Sequence, residues 1–280
     1  MTRIWLDGLL LAPEDAHVSV ADRGLLLGDG LFETMAVRGG RVFDLDAHLA
    51  RLACGLGVLG FAQTVDLAKL RAGIASYLAS EDARDAVLRL TVTRGAGPRG
   101  LMPPETPHPT RVMTLSPMPP LREKPLSVHI ATTTRRNEQS PLAGVKALPY
   151  LDNLLALSEA RGQGADDALL LNTRGTIACA SVANVFVIRD GRLETPPVRD
   201  GALPGTMRAL VLSLARQSGL TPVETSLDAT GLAGADHVFL TNSISRLMEA
   251  RQCNGVPLER RAGAAVDRLR ALIAARFDVS

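Results

Sequence analysis

Aromatic residues make up only 3% of the 280-residue chain, too few for the stacking platforms that hold single-stranded nucleic acids. Neither sign of charge predominates. With 31 Lys and Arg against 29 Asp and Glu, no long-range field draws the chain to nucleic acid or an anionic lipid surface, so any anion must be met by a local cluster. The three cysteines, Cys54, Cys179 and Cys253, are odd in number and scattered, giving neither a disulfide framework nor paired metal spacing. No apolar run approaches the ~18 residues of a membrane span, and Met1-Thr2-Arg3-Ile4-Trp5-Leu6-Asp7-Gly8 has no apolar stretch behind a basic start. A cytoplasmic protein without metal, membrane or nucleic-acid partner is the expectation. Lysine is scarce too, since most of the positive charge is arginine, and this draws attention to Lys146.

What is present is a hydrophobic content of 46%, enough for one large domain or two moderate ones. Lys146 stands between apolar Ala143-Gly144-Val145 and Ala147-Leu148, ahead of a helix expected over Leu151 to Gly162. Burial disfavours the charged form of an amine and frees its lone pair for attack on an aldehyde. A lysine at a strand end with its head in water fits the same residues.

Along the chain, Ile4-Trp5-Leu6, Asp7-Gly8 and Leu9-Leu10-Leu11 read as a hairpin with a type I′ turn. The segment from Asp22 to Thr34, ending in Gly28-Asp29-Gly30-Leu31-Phe32-Glu33-Thr34, reads as a loop whose glycines suit a phosphate cradle, yet their spacing is neither a Walker nor a dinucleotide fingerprint and no helix follows it. Asp46 is expected to cap a helix through Leu52, with a second helix over Asp66 to Ala79. Val87 to Thr93 alternates as a half-buried strand, with Arg89, Thr91 and Thr93 on its more polar face. The following loop, Arg94 to Gly100, carries Arg94 and Arg99, two guanidinium forks suited to a carboxylate, although a solvated basic turn accounts for them equally. The prolines from Ser116 to Pro125 mark a boundary, giving a small domain over 1–118, a linker over 119–125 and a larger domain over 126–280. Leu203-Pro204-Gly205-Thr206-Met207-Arg208 leads into a helix expected from Ala209, a seat for phosphate or an ordinary cap. Thr241-Asn242-Ser243 closes a strand at a place where α/β and α+β folds commonly hold ligands.

Together these segments resemble the class IV, or D-amino acid aminotransferase-like, pyridoxal 5′-phosphate (PLP) enzymes. The resemblance runs from Asp22 to Ser243. It rests on the ordered set Gly28 to Thr34, His48-Leu49-Ala50-Arg51-Leu52, Lys146, Asn184-Val185-Phe186, Leu203-Pro204-Gly205 with Arg208, and Thr241-Asn242-Ser243. It implies an α+β fold of two domains with the cofactor in the crevice between them, and a homodimer whose active sites a neighbouring subunit completes. By the same resemblance Lys146 forms the Schiff base and shuttles the proton. Arg51, the backbone of Thr206 and Met207 after Gly205, and Ser243 hold the phosphate, and Tyr150 faces the phenolic oxygen. The family more often has threonine at the position of Met207, so one side-chain contact is missing.

The larger departure is Cys179, where the family pattern has the glutamate that keeps a proton on the pyridine nitrogen. A thiol, with a reference pKa of ~8.5, is a poor partner for a pyridinium. The implied ring nitrogen is unprotonated or weakly protonated, unless Cys179 only packs and another donor serves the nitrogen. Among family members, Phe32-Glu33-Thr34, the Arg94 to Leu101 loop with Arg99, and Thr241-Asn242-Ser243-Ile244 are most similar to aminodeoxychorismate lyases. This points to Phe32, Thr34, Arg94, Arg99 and Asn242 as substrate contacts. The alternatives are an aminotransferase acting on D-amino or branched-chain amino acids, and a weakened PLP-binding homologue.

Overall fold

In the computed structural model, which describes residues 2–279, the chain divides into two units. The first comprises the residues up to Pro119 together with Val145–Pro149, and the second comprises Pro120–Gly144 and Tyr150–Val279. The Lys146 segment thus belongs with the first unit, whereas the sequence reading ran the larger domain unbroken from residue 126. A local reading misses this because the tie is a strand-edge contact over more than a hundred residues of chain: Leu31 bridges Ala147, the Phe32 amide donates to the Lys146 carbonyl, and the Leu148 amide donates to the Gly30 carbonyl.

The first unit opens with β1 (Ile4–Leu6) and β2 (Leu9–Leu11), joined by Asp7 and Gly8, both at positive φ as the type I′ turn requires. A short helix, α1 (Arg23–Leu27), interrupts the stretch expected to be free of helix; Asp22 caps it through the Gly24 amide and Gly28 ends it at φ 68°. Next come β3 (Gly30–Arg38), β4 (Arg41–Val42), α2 (Leu45–Leu59), α3 (Leu67–Ser80), β5 (Ala86–Thr93) and β6 (Arg111–Pro117). Asp46 does not cap α2: the helix begins two residues earlier, with Asp44 at the cap in left-handed geometry, while Asp66 caps α3 as expected. The six strands form one sheet in the order β2-β1-β6-β5-β3-β4. Leu31, Met35, Leu88, Leu90 and Met113 supply its apolar core with Leu49, Leu52 and Leu56 of α2 and Leu70, Ile74 and Tyr77 of α3.

The second unit contains β7 (Leu126–Ile130), α4 (Leu151–Gly162), β8 (Asp167–Leu171), β9 (Ile177–Ala180), β10 (Asn184–Arg189), β11 (Arg192–Thr195), α5 (Thr206–Leu214), β12 (Thr221–Glu224), β13 (His237–Asn242), β14 (Arg246–Cys253), β15 (Val256–Pro257) and α6 (Gly263–Val279). The helix α5 starts three residues before the expected Ala209, because Gly205 takes the cap position. Its sheet runs β12-β11-β10-β13-β14-β7-β8-β9, with β15 on β14. Strands and helices in both units make this an α+β protein. Among the described residues no helix is long and apolar enough to cross a membrane, and no cluster of His, Cys, Asp and Glu is arranged to hold a metal.

Candidate active site

In β3 the side chains alternate between two faces of the sheet. Leu31, Glu33 and Met35 belong to one face; Phe32 and Thr34 belong to the other, beside their register partners Thr91 and Arg89 of β5. The Lys146 amine lies 4.4 Å from the centre of the Phe32 ring, and the Arg89 guanidinium carbon lies 4.0 Å from the same ring. Lys146 itself is half-buried between buried Val145 and Ala147. This sheet face therefore presents an amine and a guanidinium on one aromatic ring, a pairing suited to a carbonyl and a carboxylate. Arg89 was absent from the sequence-derived site. Strand alternation marks it as polar-facing, but which face receives Lys146 depends on the remote Leu31–Ala147 bridge.

On the opposite face Glu33 accepts hydrogen bonds from Arg51 Nε at 2.8 Å and from His48 Nδ1 at 2.7 Å, with Arg51 Nη2 on its second oxygen. Burial by itself would raise the Glu33 carboxyl; hydrogen bonds from Arg51 and His48 outweigh it and hold the group below the ordinary carboxylate range.

Arg94 is placed differently from Arg99. The Arg94 guanidinium is buried, donating to Asp29 at 2.7 Å and to the Leu59 carbonyl at 2.6 Å, and it covers the Phe61 ring at 4.5 Å. Asp29 also accepts from Arg23, whose remaining donors reach the carbonyls of Gly100, Leu101 and Met102. Arg94 is thus engaged in shaping the loop, while Arg99 stands exposed upon it.

In the second unit, Asn184 donates to the Leu203 carbonyl at 2.9 Å, and a side chain at Gly205 would place its Cβ 2.1 Å from the Asn184 oxygen. Gly205 is therefore required by the turn, and it caps α5 with no side-chain hydrogen bond of its own. The Thr206 and Ser243 hydroxyls lie 3.0 Å apart at that helix start, and the Met207 side chain is buried. Asn242 instead closes a turn, its oxygen accepting from the Ile244 and Ser245 amides. Tyr150 takes the cap position of α4 and is half-buried. Cys179 is buried on β9 in a cluster with Ala156 and Ala160 of α4. Burial pushes its thiol above the ordinary range, with the Arg136 charge acting against the shift, so the group is a neutral thiol.

Comparison with known proteins identifies the class of protein. The family described as amino-transferase class IV matches residues 30–253, and the chain belongs to it. A putative branched-chain-amino-acid aminotransferase of Methanocaldococcus jannaschii is 35% identical over 254 residues, covering 90% of this chain and 88% of that protein. A D-alanine aminotransferase of Bacillus licheniformis is 27% identical, covering 90% and 89% respectively. The crystal structure of 4-amino-4-deoxychorismate lyase from Pseudomonas aeruginosa superposes with a TM-score of 0.84 at 35% identity, covering 96% of this chain and 98% of that one. The protein is a PLP-dependent class IV enzyme. The residues present are of the kinds that cofactor needs: in the second unit a glycine-capped helix start of the type that can hold a phosphate, and in the first a half-buried lysine amine of the type that can take an aldehyde.

Proposed function

We propose that the chain is an aminotransferase for small amino acids of the branched-chain or D-amino acid class. The carrying observation is Lys146 and Arg89 on the same ring of Phe32, a nitrogen for the imine exchange beside a cation for the substrate carboxylate. The relatives named as aminotransferases support amino transfer ahead of the lyase preference drawn from local motifs.

Bound PLP supplies an aldehyde that condenses with amines and a ring that withdraws electron density. Lys146 would hold the aldehyde and, once the substrate amine has displaced it, its freed amine would move the proton at the substrate α-carbon. Arg51, the Thr206 and Met207 amides and the Ser243 hydroxyl are assigned to the phosphate. Tyr150 is assigned to the phenolic oxygen. Phe32 and Thr34 line the substrate side, with Arg89 and Arg99 as its cations. Arg94 and Asn242, each engaged in local structure, are left out of substrate binding. Cys179, neutral and buried, brings no negative charge to hold a proton on the ring nitrogen, so electron withdrawal is weaker than with a glutamate. A homodimer is part of the same reading.

The lyase reading, pyruvate and 4-aminobenzoate from aminodeoxychorismate, has its own support in the 35% identity to the Pseudomonas aeruginosa enzyme and in exposed Arg99. Aromatisation drives that reaction and tolerates a weaker electron sink. Purified holoenzyme given L-leucine, L-valine or D-alanine with a 2-oxo acid is expected to transfer the amino group. Pyruvate release from aminodeoxychorismate with no amino transfer to any of the three would overturn the proposal in favour of the lyase.

A further inference from the structure

Glu33 is an unusual residue for the inner face of a strand. It is 1% exposed, between apolar neighbours Leu31 and Met35 along that face, and an ionised carboxylate buried there is costly unless it is paired. Its pairing is complete and comes from one helix. Arg51 docks the edge formed by Nε and Nη2 on the two carboxylate oxygens, and His48, three residues earlier on α2, donates from Nδ1. Spacing of i and i+3 puts both side chains on the same face of the helix.

A guanidinium is planar, with its donors in a rigid fork. Bidentate docking of one edge on a carboxylate fixes both the plane and the direction of the remaining donors. His48, itself 1% exposed, donates to the same oxygen that Arg51 Nη2 meets and adds a third point of attachment that restrains the carboxylate. The Arg51 side chain is 10% exposed, so little of its motion is left to solvent. An anion meeting such a cation does not have to order it first, which removes part of the cost of binding.

We propose that Glu33, backed by His48, is the positioning residue that holds Arg51 in a fixed orientation for the cofactor phosphate. This rests on the assignment of Arg51 to the phosphate above. The two strand and helix segments, Gly30 to Thr34 and His48 to Leu52, are then parts of one device.

The idea has an opposing expectation with the reverse sign. Glu33 subtracts charge from Arg51, so electrostatics alone would have its removal tighten anion binding. Positioning has its removal loosen it. The test is the affinity of the apo full-length protein for PLP and for pyridoxal, which lacks the phosphate, with Glu33→Gln against the unaltered chain. We expect the PLP dissociation constant to rise about tenfold, and that for pyridoxal to change by less than about twofold. PLP bound as tightly as before or more tightly overturns the proposal, as does an equal loss for both ligands, which would report general damage. If Glu33→Gln does not fold, His48→Gln carries the same comparison, with an expected PLP-selective loss of about threefold and the same overturning outcomes. Arg51→Lys separates the two layers. An unchanged PLP-to-pyridoxal ratio there removes the phosphate assignment itself, whereas a lowered ratio there with none in Glu33→Gln removes only the positioning role.

Discussion

At the scale of single residues, the three cysteines differ by surroundings that their spacing does not disclose. Cys54 is exposed, while Cys179 and Cys253 are buried. Burial pushes the Cys253 thiol up to about 11 from 9.0, about a hundredfold less thiolate at neutral pH. A thiol reagent such as DTNB is therefore expected to modify exposed Cys54 first in the native apo protein, with Cys253 slower by about a hundredfold and buried Cys179 slower as well. Denaturation should equalise all three. Rapid native modification of Cys179, located by peptide mapping, would contradict its assignment as a buried neutral thiol. Arg94 makes a related point: residue type and glycine-rich setting suggest a ligand, but Asp29 at 2.7 Å and the Leu59 carbonyl take its donors.

At the scale of elements, helix and strand existence follows from short-range pattern, whereas their starts follow from caps that only geometry reveals. The turn at Asp7-Gly8, the cap at Asp66 and the alternation of β5 are all legible because each depends on neighbours within a few residues. The start of α5 at Thr206 and the insertion of α1 are not, since each depends on a glycine conformation or a remote contact. The same holds for the strand-edge contact that seats Lys146. A Cβ at Gly30 would lie 2.6 Å from the Val92 carbonyl oxygen and 2.8 Å from the Leu148 side chain, so the tight three-way contact of β3, β5 and the Lys146 segment requires glycine. Gly30→Ala is expected to cost about 1–3 kcal/mol of stability by overpacking. It should also lower the yield of borohydride-fixed pyridoxyl adduct on Lys146. Thermal unfolding and peptide mapping check the two parts, and an unaltered melting temperature would refute the contact argument.

At the scale of the whole molecule, one source of acid sensitivity joins β13, β14 and α6. Glu249 on β14 accepts from Arg270 at 2.5 Å, Arg260 at 2.6 Å and His237 at 2.9 Å. Burial would raise its carboxyl, but these three donors outweigh that and bring it to about 2 from 4.5. The unfolded chain thus takes up this proton before the folded one does. The stability it contributes is full above pH 4.5 and is lost as pH falls towards 2. His237, fully buried, has its own pKa lowered chiefly by that burial, which adds destabilisation as pH falls below the unfolded value of 6.5. Urea midpoints should therefore fall on acidification from pH 7 to 3, and Glu249→Gln should flatten the part below pH 4.5. Equal slopes for the two proteins below that pH would exclude Glu249 as a source.

The sequence by itself determined the hairpin at Asp7-Gly8, the helix capped by Asp66 and Lys146 as the residue to examine, and its ordered series of short motifs pointed to the family and, through that resemblance, to the α+β fold; turn chemistry, periodicity and motifs are all local properties of the chain. Only the tertiary structure decided which residues keep company with that lysine. Arg89 comes to the Phe32 ring through register across β3 and β5, and Glu33 is turned to Arg51 by the pleat of a strand packed on α2. Arg94 is drawn into the frame of its own loop by Asp29, 65 residues away in the chain. Such pairings depend on contacts between segments far apart in the chain, and no local pattern of residues encodes the partner.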